Sequence, residues 1–556
     1  MSQREVVKMS DTIQTVITSQ ANETVQTKQN TSNAGQAVQQ EGGQRPEPQT
    51  LYQEKVKENF HIFGISTFLY ACLYAFCMYK NESGVTYSFF VAGSLVYICY
   101  CLSKLGITLK KDNGFYMISM VLLSVSTFCT DDGRIIFFNK LGVFLLTISM
   151  LLSIVYRTQE WNLGKYLHSI CSSCMLALGQ LGAPFADAVW YCKNKLDKKN
   201  CRYLYVLIGL VITIPLFVVV FLLLASADAV FRNMADNLLS DFAFGDVMAV
   251  GWMICFMFFA SYCMLVQFCK KPLQEEVSDN RRGEPLIAIP VVTVLSLLYL
   301  VFSGVQILYL FMGNMELPAG YTYAEYAREG FFQLLAVGIL NLILVLVCLY
   351  YFKEHKVLKI VLTVMSACTF IMLASSGMRM IIYIQYYYMT FLRILVLWSL
   401  LVLFLLFVGV MIYIHKDSFP LFRYSMVVVT CLYLCLSFSH PDYWIAKVNV
   451  ASMQEERSDF FQGSPYHDYR YLTTLNADAA PVLLELLQEQ GYDLGCYVAE
   501  QDDWSDSIGS RGDKDCFGYY WLEYMKGRTE NMSLRSFNVS RFLMEQNVQG
   551  RMTKGM

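Results

Sequence analysis

Residues 389–414 read MTFLRILVLWSLLVLFLLFVGVMIYI, twenty-six positions with one charged side chain, Arg393. As a helix rising 1.5 Å per residue, this run measures about 39 Å, more than the roughly 30 Å hydrocarbon core of a bilayer. Ten further runs have the same character: 62–79, 85–103, 114–130, 141–156, 203–225, 244–266, 286–312, 330–352, 357–376 and 421–438. Each is near the length that lets a helix cross a membrane, although 114–130 and 141–156 are short and could be one broken unit. The expected fold is an all-α polytopic transmembrane bundle of about 11 spans.

Composition points the same way. Of 556 residues, 55% are hydrophobic and 16% are charged. A soluble chain carries about 25% charged residues, so these charges cannot cover a water-soluble body of this size. The bilayer is therefore the expected partner. A net charge of −2 gives no electrostatic case for nucleic acid.

The flanks differ from the spans. Residues 1–60 hold ten Gln among the first fifty positions and show no apolar period, which predicts a disordered tail and no early apolar signal segment. The transmembrane part is expected over 61–439 and a small soluble domain over 440–556. With the N-terminus inside, the inside loops carry 19 Lys and Arg and the outside loops 6. An odd span count then puts 440–556 outside the cytoplasm, where its 11 Lys/Arg and 18 Asp/Glu give −7. Cys496 and Cys516 lie in this segment. In an oxidising compartment they could bond, or both could stay buried thiols. Asp478 before Ala479-Ala480-Pro481 predicts a capped helix stopped at Gly491, and Trp521 to Tyr524 another helical piece.

Three polar segments lie at the outside ends of spans. Asp228, Arg232 and Asp236 repeat every four residues, as a solvated helix cap or as the rim of a cavity. In Tyr321–Gly330, Thr322 and Glu325 have capping-box spacing, which predicts a helix running unbroken into the next span with Glu325, Arg328 and Glu329 on one face. In the third, Arg379, Tyr383 and Tyr387 fall one per turn, and Arg393 must snorkel or pair inward. An aromatic belt is the alternative for these tyrosines. Together Asp228, Arg232, Glu325, Arg328, Glu329, Arg379, Tyr383 and Arg393 form the expected polar outer-face site, with Arg379 or Arg328 paired to an acid from another span.

These segments carry a resemblance. Ala225–Phe231, Tyr326–Phe332, and Arg379-Met380 followed by Tyr383, Tyr387, Thr390 and Arg393 resemble the bacterial membrane family called domain of unknown function 4173, with its relative 4153. Pro441-Asp442, Ile445-Ala446, Asn449 and Leu475–Pro481 add to it. Where similar chains have Tyr-Gly-Leu-Thr, this one has Tyr387-Tyr388-Met389-Thr390, and the lost Gly weakens the case for a required backbone bend there. The resemblance implies a bacterial plasma membrane protein and supplies no activity.

No catalytic or metal motif stands out. Cys171-x-x-Cys174 lacks a second close pair, and its surroundings read as an interfacial amphipathic helix. His440, His467 and Asp468 come without a nucleophile elbow or a phosphate-cradling loop. No cofactor is expected. The favoured reading is a non-enzymatic envelope protein that senses, anchors or assembles a partner; the alternatives are a transporter or lipid-handling protein and a membrane-embedded enzyme.

Overall fold

The computed structural model describes residues 48–156 apart from 82, then 158, 161, 163–195, scattered positions between 209 and 231, 244–270, 281–308, 330–455, 471–489, and 517–555 apart from 531. Among these residues the chain is helical, and its one β-type pairing is an isolated bridge between Gly283 and Phe352. Among the described residues, nine helices are long and apolar enough to cross a membrane. The chain is thus a multi-pass membrane protein.

The helices run in chain order as α1 Pro48–Glu58, α2 Phe60–Met78, α3 Thr86–Leu105, α4 Asn113–Cys129, α5 Gly133–Val155, α6 Leu163–Leu178, α7 Ala183–Lys195, α8 Phe244–Lys270, α9 Pro285–Gln306, α10 Phe331–Tyr351, α11 Lys356–Tyr387, α12 Phe391–His415, α13 Leu421–Phe438, α14 Pro441–Glu455, α15 Ala480–Glu489, α16 Phe517–Thr529 and α17 Val539–Gly555. The run expected at 141–156 starts earlier, at Gly133. Asp132 accepts from the Arg134 backbone N–H at 2.9 Å and caps the helix, so Ile135 and Ile136 form its first turn rather than a gap. The runs 114–130 and 141–156 are therefore two helices joined at a tight turn. The 17-residue α4 falls just short of a span by length, and most of 203–225 lies outside the described residues.

Two helix groups share the bundle. One packs α2, α3, α4, α5 and α8; the other packs α9 to α12; α13 touches both α4 and α12. Buried side-chain polar groups fix the junction. Asn139 Oδ1 accepts from Tyr433 at 2.9 Å and from Ser437 at 2.7 Å, and the Ser437 and Ser126 hydroxyls lie 2.6 Å apart.

The bundle has two distinct ends. At one, Lys110 reaches the Ser153 carbonyl, Arg423 pairs with Asp112, Arg281 and Lys359 pair with Glu354, and Lys353 pairs with Glu284. At the other, the turns at 80–85, 130–132 and 439–441 lie under α15 to α17. Asn113 near Ser153 and Thr130 near Asp478 show that α4 runs from end to end despite its length.

The bent pair α6–α7, 56° at its break, does not. Tyr166 bonds the Ser149 carbonyl and packs on Phe422, Gln180 accepts from Lys270, Asp187 accepts from Tyr262, and Tyr191 packs on His61. All these partners lie toward the Lys110–Arg423 end, so the pair folds back there rather than running from end to end of the bundle.

Candidate functional site

The expected outer-face residues are only partly in view. Arg232, Glu325, Arg328 and Glu329 lie outside the described residues, as do Cys496 and Cys516. Asp228 is exposed and accepts from the backbone N–H of Val230 at 2.7 Å, in the manner of a cap. Arg379 is buried on α11, and its guanidinium donates to Gln306 of α9 at 3.3 Å. Gly330 stands against it with φ +108; a Cβ there would lie 2.8 Å from Arg379 Nη1. A helix cannot continue through that backbone angle, so the unbroken helix expected across Gly330 is replaced by a new start at Phe331.

Arg379, Tyr383 and Arg393 share one region. The Arg393 guanidinium lies 4.3 Å from the Tyr383 ring centroid and donates to the Tyr387 carbonyl. Between them the chain bends at Tyr388, with φ 63 and ψ 167. The bend is therefore present in spite of the missing glycine. Asn449 of α14 holds it open: its amide accepts from Met389 N–H at 2.6 Å and donates to the Met389 carbonyl at 3.0 Å.

A denser polar site lies where α14 to α17 meet the α4–α5 turn. Asp131 is fully buried, and its Oδ1 accepts from Arg528 at 2.9 Å and Arg541 at 2.6 Å. Asp132 and Asp442 share Arg134, at 2.8 and 2.7 Å, and that guanidinium lies 3.8 Å from the Phe391 ring centroid. Asp442 also accepts from the Asn476 N–H at 3.2 Å. Asp478 collects hydroxyls from Thr130, at 2.5 Å, and Ser540, and lies 3.2 Å from His440 Nδ1. The side chain capping this turn is Asn476 and not Asp478, whose carboxylate is committed to the network. Buried Asn538 donates to the Thr130 carbonyl at 2.8 Å. At the neighbouring turn, a Cβ on Gly84 would come within 2.3 Å of the Arg535 carbonyl, so only glycine admits this approach.

Burial sets the proton affinities. It raises the Asp131 carboxyl above its usual range, against the pull of Arg541 and Arg528. It lifts Asp442 to about 6, helped by neighbouring Asp132. The hydrogen bond to Asp478 raises His440.

Apolar packing continues the junction. Leu475, Leu483, Leu484, Leu487, Trp521, Met525 and Met544 form a core that also contains Ile135, Phe391 and Leu436 from the spans. Trp521 donates to the Leu475 carbonyl at 2.8 Å. The C-terminal helices thus close their core on the membrane helices.

Sequence reading missed Asp131, Asp132, Arg134, Arg528 and Arg541, although adjacent acids between two apolar runs were the available signal. Among the described residues, no group of three His, Cys, Asp or Glu side chains is placed to hold a metal ion. The network instead joins elements that are far apart in the chain. No curated protein and no solved structure matches the chain. Residues 117–486, which include Asp131, Arg134, Arg379, Asp442 and Asp478, match the domain of unknown function DUF4153, and the chain belongs to that family.

Proposed function

We propose that the protein is a non-enzymatic envelope sensing, anchoring or assembly protein of a bacterial plasma membrane. On this reading it has eleven spans, a cytoplasmic N-terminal tail over 1–60, and an extracytoplasmic module over 440–556 that meets an envelope or protein partner. The relation to domain of unknown function 4173 belongs to the same reading. Asp131 is the observation that carries it. A fully buried carboxylate held by arginines of α16 and α17 makes the module and the α4–α5 turn one mechanical unit. Load or ligand on the module then reaches the α4–α5 turn through Asp131 and the start of α5 through Asp442 and Arg134. Arginines satisfied by buried acids serve coupling better than chemistry on a bound substrate.

Hydrogen exchange tests the coupling. Asp131→Ala, which removes the acceptor of both arginines, should speed exchange in α16 and α17 and also at the α4–α5 turn and the start of α14. Changes confined to α16 and α17 would reject it.

A second reading, a transporter or lipid-handling protein, has its own observation. Gln306 Oε1 accepts from Ser375 at 2.6 Å and from Arg379, while Asn341 donates to Thr369 at 3.0 Å. These polar groups lie within α9, α10 and α11, where they are costly and mark a functional path by default.

A further inference from the structure

The α2–α3 pair carries a groove of about 560 Å³ on the face of the bundle. Its rim is apolar and open, with Leu69 62% and Val96 69% exposed on membrane-crossing helices. Its floor is the crossing at Gly93, where a Cβ would lie 2.2 Å from Leu73 Cδ2, so the missing side chain lets Leu73 lie flat. From Ile62 to Leu73 the groove follows α2 for about 16 Å, close to the roughly 15 Å of one leaflet.

Its walls hide their polar atoms. The Tyr70 and Tyr97 rings stack at 4.5 Å. Their hydroxyls are tied to Ser94 at 2.9 Å and Thr67 at 2.8 Å. The surface that remains is aromatic ring and aliphatic side chain, suited to a hydrocarbon chain.

The mouth is cationic. His61 and Tyr100 line it, and Lys104 Nζ lies 5.5 Å from the Tyr100 ring centroid. Lys55 reaches the Leu105 carbonyl at 3.1 Å beside it. Tyr191 packs on His61, and exposed Lys193 and Lys195 follow on α7. This is the Lys-rich end of the bundle, and Lys104 sets a positive charge against the groove's lining where a lipid headgroup would lie.

We propose that this groove is a binding site for one anionic phospholipid, with an acyl chain along Tyr70 and Tyr97 and the phosphate at the mouth beside Lys104 and His61. Leaflet-length depth, walls whose Tyr70 and Tyr97 hydroxyls are already bonded, and a cationic mouth jointly select that ligand over a detergent-like or neutral one.

Native mass spectrometry of the delipidated full-length protein in detergent tests it. Phosphatidylglycerol and phosphatidylcholine of the same acyl composition are titrated in parallel. One phosphatidylglycerol should bind roughly tenfold tighter than phosphatidylcholine. Lys104→Glu, an exposed change, should erase that preference. Ser66→Phe, which fills the groove away from the Gly93 crossing, should remove the adduct at unchanged melting temperature. Equal binding of the two lipids, or a preference that survives Lys104→Glu, would overturn the site; so would an adduct retained in folded Ser66→Phe. If Ser66→Phe does not fold, the Lys104→Glu comparison decides alone.

Discussion

Tyr388 shows how a single backbone angle can outlast the residue best suited to it. Its φ of 63 with ψ of 167 lies in a region that only glycine enters freely. Asn449, bonding both backbone groups of Met389, imposes the bend from α14. Tyr388→Gly should therefore stabilise the protein by about 1 kcal/mol, read as a higher melting temperature in detergent. A lower melting temperature would mean that the Tyr388 side chain contributes more than the angle costs. Asp131 poses the opposite case. Asp131→Ala removes the buried oxygen that accepts from both Arg528 and Arg541. Breaking one side of a buried pair costs about 3–5 kcal/mol, whereas an exposed pair is worth about 1 kcal/mol or less. Trypsin should then cleave α16–α17 much faster in the variant than in the parent. Equal cleavage would place the pair in the exposed class.

At the scale of elements, what was legible in the sequence was local. Each membrane helix carries its own apolar run, so the spans at 389–414 and 421–438 are found almost to the residue as α12 and α13. The helix near Trp521 is likewise local. The docking site was not legible because its partners are distant: Asp131 meets Arg528 and Arg541 across 397 and 410 positions. Read alone, Thr130-Asp131-Asp132 looks like a solvated turn. Arg379 could be read as inward-facing because an arginine beside an apolar run must find a partner. The same docked elements have a pH dependence of definite sign. Asp442, Asp131 and His440 all bind protons more readily with the helices docked than an ordinary Asp or His does. Docking therefore takes up protons. Its stability falls as pH rises from about 4, the ordinary Asp value, through 6 for Asp442, and on past the ordinary His value of about 6.5. Attraction to Arg541 and Arg528 opposes the rise at Asp131, and attraction to Arg134 opposes the rise at Asp442; both only moderate it. Amide exchange in α16 and α17 should be slower at pH 5.5 than at pH 8, after correction for intrinsic rates. His440→Gln should flatten the part above about pH 6.5 and leave the part below it. Faster protected exchange at the lower pH would reverse the assignment.

Taken as a whole, the molecule has two chemically different ends, and the α6–α7 pair decides how they relate to the membrane. The loops at 104–113, 281–284, 353–359 and 415–423 meet at one end and hold the Lys-rich pairs; the turns at 80–85, 130–132 and 439–441 meet α15 to α17 at the other. If α6–α7 crossed as a broken span, every later helix would invert and the basic loops would divide between the two faces. Its contacts with Ser149, Phe422, Lys270 and His61 oppose that. Lys111, before this pair, and Lys193, in the last turn of α7, are exposed, and Leu534 is 93% exposed in the C-terminal segment. In a cysteine-depleted chain, single Lys111→Cys and Lys193→Cys variants should react with an impermeant thiol reagent only after the cells are permeabilised. Leu534→Cys should react on intact cells. Lys193→Cys reacting together with Leu534→Cys on intact cells would make α6–α7 a crossing. All three reacting alike would remove the two-ended topology, because a reagent that cannot pass the membrane would then reach both clusters of loops from one side.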